Sequence, residues 1–75
     1  MNIQYRVAYG KNDEVVDGPD DAEVVVTIAA ADAGLDPTVA YMQGKLKSTG
    51  STAALFEALR NGDAGEAISR LASRP

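Results

Sequence analysis

The chain has no cysteine and no histidine. Without thiols there is neither a disulfide framework nor a thiolate metal site. Without imidazoles, zinc loses its usual ligands and acid–base chemistry its commonest base. A basic excess is also missing: the formal net charge is −4, and six of the eleven acids fall between Asp13 and Glu23. Nucleic acid selects for basic faces, so it is not an expected partner, and anionic membrane surfaces are disfavoured on the same ground. No apolar run approaches the roughly 20 residues that span a bilayer, so no stable membrane insertion is expected. Met1-Asn2-Ile3-Gln4 has neither the basic nor the apolar region of a signal peptide. The expectation is a soluble, cytoplasmic protein.

Length is short as well. Seventy-five residues make one domain, spanning 1–75. A domain of that size hides only about 60% of the surface its unfolded chain exposes. With no disulfide or metal to compensate, self-association is the obvious remaining support, and a homodimer is expected.

What is present is clear local punctuation, densest from Asp36 to Gly50. Asp36 is a good N-cap, and Pro37 suits the first helical position, where a missing N–H costs nothing. Val39, Ala40, Tyr41 and Met42 give this short helix an apolar body, and Gly44 supplies the left-handed exit. Lys45-Leu46-Lys47 then alternates as a strand with Leu46 inward and both lysines outward. Gly50 and Ser51 mark the next turn and helix start.

The preceding segments read as β structure. Ile3, Tyr5, Val7 and Tyr9 alternate with Gln4, Arg6 and Ala8, so one strand carries two aromatics on its inner face. Gly10-Lys11-Asn12-Asp13 is turn chemistry, and Glu14-Val15-Val16-Asp17 is a short return strand closed by Gly18-Pro19-Asp20-Asp21. Glu23 to Ala29 is almost wholly β-branched and belongs in the middle of a sheet. Asp32-Ala33-Gly34-Leu35 is too short for a helix, and Leu35 can staple onto Ala40 or Tyr41. After Gly50, Ser51 or Thr52 caps a helix with Ala54, Leu55, Ala58 and Leu59 on one side, widened by Phe56 and ended by Asn61-Gly62. Asp63 and Glu66 have capping-box spacing for a last helix with Ala67, Ile68, Leu71 and Ala72 inward. Arg70 and Arg74 lie near its C-terminus, as the macrodipole favours. The expected fold is α+β: a small, mostly antiparallel sheet with C-terminal helices on one face.

Few residues suggest reaction chemistry. A Walker loop would need glycine at Val39 and serine or threonine at Leu46. The acids from Asp13 to Glu23 lack the order of a calcium loop and read as a solvated hairpin rim. No carboxylate pair is expected to be buried. Ser48, Thr49, Ser51 and Thr52 have no evident base, so their reading is turn and cap, and no enzymatic activity is expected. Lys45 and Lys47 read as a solvated strand edge that discourages aggregation, with docking of a phosphate or carboxylate head group as the functional alternative. The remaining constellation is apolar: Tyr5, Tyr9, Val26, Ile28 and Tyr41, then Met42, Leu55, Phe56 and Leu59. These residues suit a plain core, and flexible methionine with aromatics beside a sheet–helix cleft also suits an adaptable apolar pocket.

Asp36-Pro37, the run Ala40-Tyr41-Met42-Gln43-Gly44-Lys45-Leu46-Lys47, then Thr49-Gly50 and an Ala/Leu-rich helix resemble the C-terminal part of the sterol carrier protein type 2 family. The resemblance covers about Glu23 to Leu59. It implies a minimal sterol-carrier-protein-like fold and non-covalent binding of a sterol, fatty acid or acyl thioester in an apolar tunnel, with no cofactor or metal. Tyr41 and Met42 match the aromatic pair near the tunnel, and Leu55, Phe56 and Leu59 match the helix at its mouth. Gly44 and Gly50 match turn glycines. Two departures stand out: N-terminal helices and a first strand are not seen before the hairpin, and no helix precedes Asp36-Pro37. Both pieces wall the tunnel in larger members, so a groove is expected here in place of a closed cavity. A second copy could complete its wall or fill it. The expected function is therefore non-catalytic binding and transfer of a fatty acyl chain, sterol or polyketide-like lipid. The alternative is a structural or protein-interaction module, homodimeric or accessory to an enzyme, that keeps the fold without the cavity. An accessory that holds an apolar intermediate for a biosynthetic enzyme is a third reading.

Overall fold

The computed structural model describes residues 3–73. Alternation over the first segment produces β1 (Ile3–Gly10), which turns into β2 (Asp13–Asp17) as an antiparallel hairpin with Tyr5 opposite Asp17 and Val7 opposite Val15. The Gly18–Glu23 loop then carries the chain back to the start of β1. As a result β3 (Val24–Ala29) runs parallel to β1, with Ile3, Tyr5 and Val7 beside Val24, Val26 and Ile28. After the helix described next, β4 (Leu46–Thr49) pairs antiparallel with β3, placing Leu46 opposite Ile28. The four-stranded order is β2-β1-β3-β4. The β-branched β3 is an interior strand, as its two apolar faces require. The sheet is mostly antiparallel with one parallel pair.

Three helices complete the α+β fold, with the C-terminal two packed on one face of the sheet. In α1 (Pro37–Met42), the Asp36 carboxylate accepts the Thr38 and Val39 N–H groups at 2.9 and 3.4 Å. Gly44 ends the helix at φ +75°, and the Lys45 N–H donates to the Ala40 carbonyl at 2.8 Å. That bond moves the following strand. Lys45 serves the helix end, so β4 begins at Leu46 and runs to Thr49, not over Lys45–Lys47 as the alternation suggests. Before α1, a single 3-10 turn occupies Ala30–Asp32, where sequence indicated only an exit from the strand.

Ser51 caps α2 (Thr52–Asn61), its hydroxyl oxygen accepting from Ala54 N–H at 3.3 Å. Gly62, at φ +89°, both ends α2 and opens α3 (Asp63–Ala72). Asp63 therefore lies inside the first turn of α3 and caps nothing; the Asn61 side chain takes the Asp63 N–H at 2.9 Å. Arg74 lies outside the described residues.

The core fills the space between the sheet and these helices. Val7, Val24, Val26, Ile28 and Leu46 meet Leu55, Ala58, Ala67, Ile68 and Leu71. The Tyr9 hydroxyl donates to the Leu71 carbonyl at 2.7 Å and ties the end of α3 to β1. On the opposite face of the sheet, Gln4 is only 1% exposed although alternation places it outward with Arg6 and Ala8. The loop after β2 folds over it. Its amide donates to the Pro19 carbonyl at 3.2 Å and Asp20 Oδ1 at 3.3 Å, and its Oε1 accepts from Arg6 Nε at 2.8 Å. A buried amide is tolerable because it is satisfied this way.

Candidate functional site

The nine apolar candidates separate into three groups. Tyr5, Val26, Ile28 and Leu55 are core residues, closed against one another by neighbours such as Val7 and Ile68. Tyr9, Tyr41 and Leu59 are partly buried against that core. Met42 and Phe56 are on the surface, 72% and 48% exposed. Helix geometry explains the split on α2. Leu55 shares the inward stripe with Ala54 and Ala58, whereas Phe56 is rotated about 100° away.

Phe56 meets α1 instead. Its ring stands edge-to-face on Tyr41, with centroids 5.5 Å apart and planes at 87°. Val39 and Met42, one turn apart on α1, are also exposed. These exposed apolar side chains make up an α1–α2 platform whose summed area is on the order of 300 Å².

Lys45 and Lys47 do not act as a pair on one strand. Lys45 precedes β4 and lies 3.9 Å from Asp32, while Lys47 stands exposed on β4 opposite Thr27.

Polar side chains gather elsewhere, around a cavity of about 290 Å³ between the sheet and α3. Ile3, Tyr5 and Ala67 form its apolar lining, and Asp17, Asp63, Glu66 and Arg70 its charged walls. Arg70 Nη2 lies 2.5 Å from Asp17 Oδ2, and Arg70 Nη1 lies 4.0 Å from Glu66. A smaller cavity of about 120 Å³ shares Ile3 and Asp63 and adds Ala54, Ala58, Glu57 and Asn61. Of the nine apolar candidates, Tyr5 alone lines either of these two cavities. Burial raises its phenol above the ordinary tyrosine value, and the Asp63 and Asp17 carboxylates add to the shift, so Tyr5 is a neutral hydroxyl at physiological pH.

Part of this second site was visible in the sequence. Asp63, Glu66 and Arg70 follow one another at helical spacings of three and four. Asp17 could not be added from spacing, because only the hairpin brings it to α3. Among the described residues, no group of three or more acidic side chains is placed to hold a metal ion. No described helix is long and apolar enough to cross a membrane.

No protein-family model and no curated protein sequence matches this chain.

Proposed function

We propose that the protein is a non-catalytic carrier of an apolar molecule that works as a homodimer, with the α1–α2 platform as its binding surface. One observation carries this reading. The cavities beside α3 are walled by charged side chains, whereas Met42, Phe56 and Val39 leave apolar surface in water on α1 and α2. An apolar ligand finds its largest uncharged surface on that platform. A fatty acyl chain, sterol or polyketide-like lipid supplies the matching chemistry, and the resemblance around Asp36–Gly50 points to the same class.

Magnitudes favour joint occupancy by a ligand and a second copy. Covering about 300 Å² of apolar surface is worth about 7 kcal/mol at 25 cal/mol/Å². Association costs on the order of 4–15 kcal/mol. Two platforms pressed directly together bury about 600 Å², half of what a stable interface needs at minimum. A lipid held between them adds about 0.8 kcal/mol for each buried CH₂.

Direct contact between two copies without a ligand is the second reading, that of an interaction module, and it is favoured by the absence of an uncharged cavity among the described residues. Native mass spectrometry of protein purified without detergent separates the two. A dimer with a discrete added mass, lost in Phe56→Ala, is the expected result. A dimer that stays bare after incubation with fatty acyl thioesters and sterols assigns the platform to protein contact. A monomer without adduct under both conditions overturns both readings.

A further inference from the structure

The face of the sheet turned away from the helices carries more apolar surface than a solvated face needs. The strand register sets its residues in rows. Val16, Arg6, Thr27 and Lys47 stand abreast across β2, β1, β3 and β4, and Glu14, Ala8 and Ala29 form the next row along β1. The loop after β2 folds over Gln4, in the row before these. Val16, Ala8, Val25 and Ala29 take no part in the core, and Val16 is 42% exposed. Strand β3 is apolar on both sides, with Val24, Val26 and Ile28 inward and Val25 and Ala29 outward beside Thr27. That is the pattern of a strand in a sheet covered on both faces, and the helices cover only one.

Charge indicates what covers the other. Glu14 lies on β2 and Lys47 on β4, at opposite edges of the face. The Lys47 ammonium has no partner among the described residues, whereas Arg6 near the centre is paired with Glu14 at 3.5 Å. A second copy laid face to face is related by a two-fold axis running either across the strands or along them. An axis across the strands lays each strand on its own counterpart and brings lysine near lysine and arginine near arginine. An axis along the strands lays β2 on the partner's β4 and β1 on the partner's β3. Lys47 then comes between the partner's Val16 and the partner's Glu14, and Arg6 lies over the partner's Thr27. Symmetry makes each contact twice.

We propose that the uncovered sheet face binds a second copy of this chain about a two-fold axis parallel to the strands, with reciprocal Lys47–Glu14 pairs at its two edges. Four strands about 4.8 Å apart and about 17 Å long offer roughly 300 Å² per copy. An interface of that size is weak, so the dimer forms and dissociates with concentration. The face shares no residue with the α1–α2 platform and does not depend on the carrier reading.

Sedimentation velocity from micromolar to millimolar protein tests the assignment. A reversible dimer is expected for the wild type. Lys47→Glu and Glu14→Lys each set like charges against one another at both edges and should weaken it about tenfold or more. Glu14→Lys lowers the net negative charge of the chain, so a general charge effect would strengthen that variant's dimer instead. Mixed in equal amounts, the two variants should pair with each other within about threefold of wild-type affinity, because each edge then holds one glutamate and one lysine. Phe56→Ala should leave the dimer unchanged. A wild type that stays monomeric at millimolar concentration, or a mixture no tighter than its components, would overturn the proposal. A dimer abolished by Phe56→Ala would also overturn it and assign the association to the platform.

Discussion

Leu55 and Phe56 are neighbours in sequence with opposite surroundings, so replacing each by alanine tests the division between core and working surface. Leu55 is fully buried in the sheet–helix core. Its truncation leaves a cavity and should cost about 2–5 kcal/mol. A chain of this length has a total stability of only about 4–11 kcal/mol, so Leu55→Ala removes a large share of it. Phe56 already has 48% of its surface in water. Roughly 100 Å² of its burial is lost in Phe56→Ala, which sets an upper bound of about 2.5 kcal/mol. That bound includes most of the edge contact with Tyr41. The order reverses for binding. The exposed half of the ring is what a ligand or second copy covers, so Phe56→Ala should weaken binding about 50-fold per site, while any folded Leu55→Ala binds nearly as wild type. Urea unfolding followed by far-ultraviolet circular dichroism gives the first comparison, and native mass spectrometry the second. Equal folding losses would show that Phe56 is a core residue. Unchanged assembly and ligand uptake in Phe56→Ala would remove α1–α2 as the binding surface.

Gly50 has φ +93°, and a Cβ there would lie 2.0 Å from the Glu23 carbonyl oxygen; Gly44 has φ +75° with open space around it. Gly44→Ala should cost about 1 kcal/mol and Gly50→Ala more than about 3 kcal/mol by urea unfolding, and similar losses would contradict the close backbone approach. The raised Tyr5 pKa predicts an alkaline weakness: the unfolded phenol ionises near pH 10.0 while the folded one still holds its proton. The associated stability is complete below that pH and is lost as pH rises towards the folded value. Urea midpoints measured from about pH 8 to about pH 11 should therefore show Tyr5→Phe gaining on wild type above about pH 10, and a constant difference across that range would refute the desolvation of the phenol.

Local signals were sufficient for most of the fold. Period-two alternation in β1, the β-branched run in β3 and the Asp36, Ser51 and Gly62 punctuation each depend on neighbours a few residues away. The misreadings came where one residue had two possible duties. Lys45 alternates like a strand residue, but its N–H closes α1. Asp63 has the spacing of a cap, but Gly62 already holds the turn between helices. Gln4 follows the outward pattern, and only the returning loop at Pro19 and Asp20 buries it. The same distinction holds at the candidate sites. Tyr41 and Phe56 could be picked out by type, but which of the nine apolar residues face water is decided by helix rotation and packing. The charged cavity joins Asp17 to residues of α3, a juxtaposition created by the pairing of α3 with the β1–β2 hairpin.

That pairing also orders events during synthesis. β1 is made first, yet its inner face is covered only when α3 arrives, and the Tyr9–Leu71 bond that fastens them spans 62 residues. At about 5–20 residues per second, a ribosome needs about 3–12 s to produce that interval. For that time Tyr5 and Val7 on the nascent chain have only their hairpin partner β2 and, later, β3 for shelter. Slower synthesis between β4 and α3 lengthens that exposure.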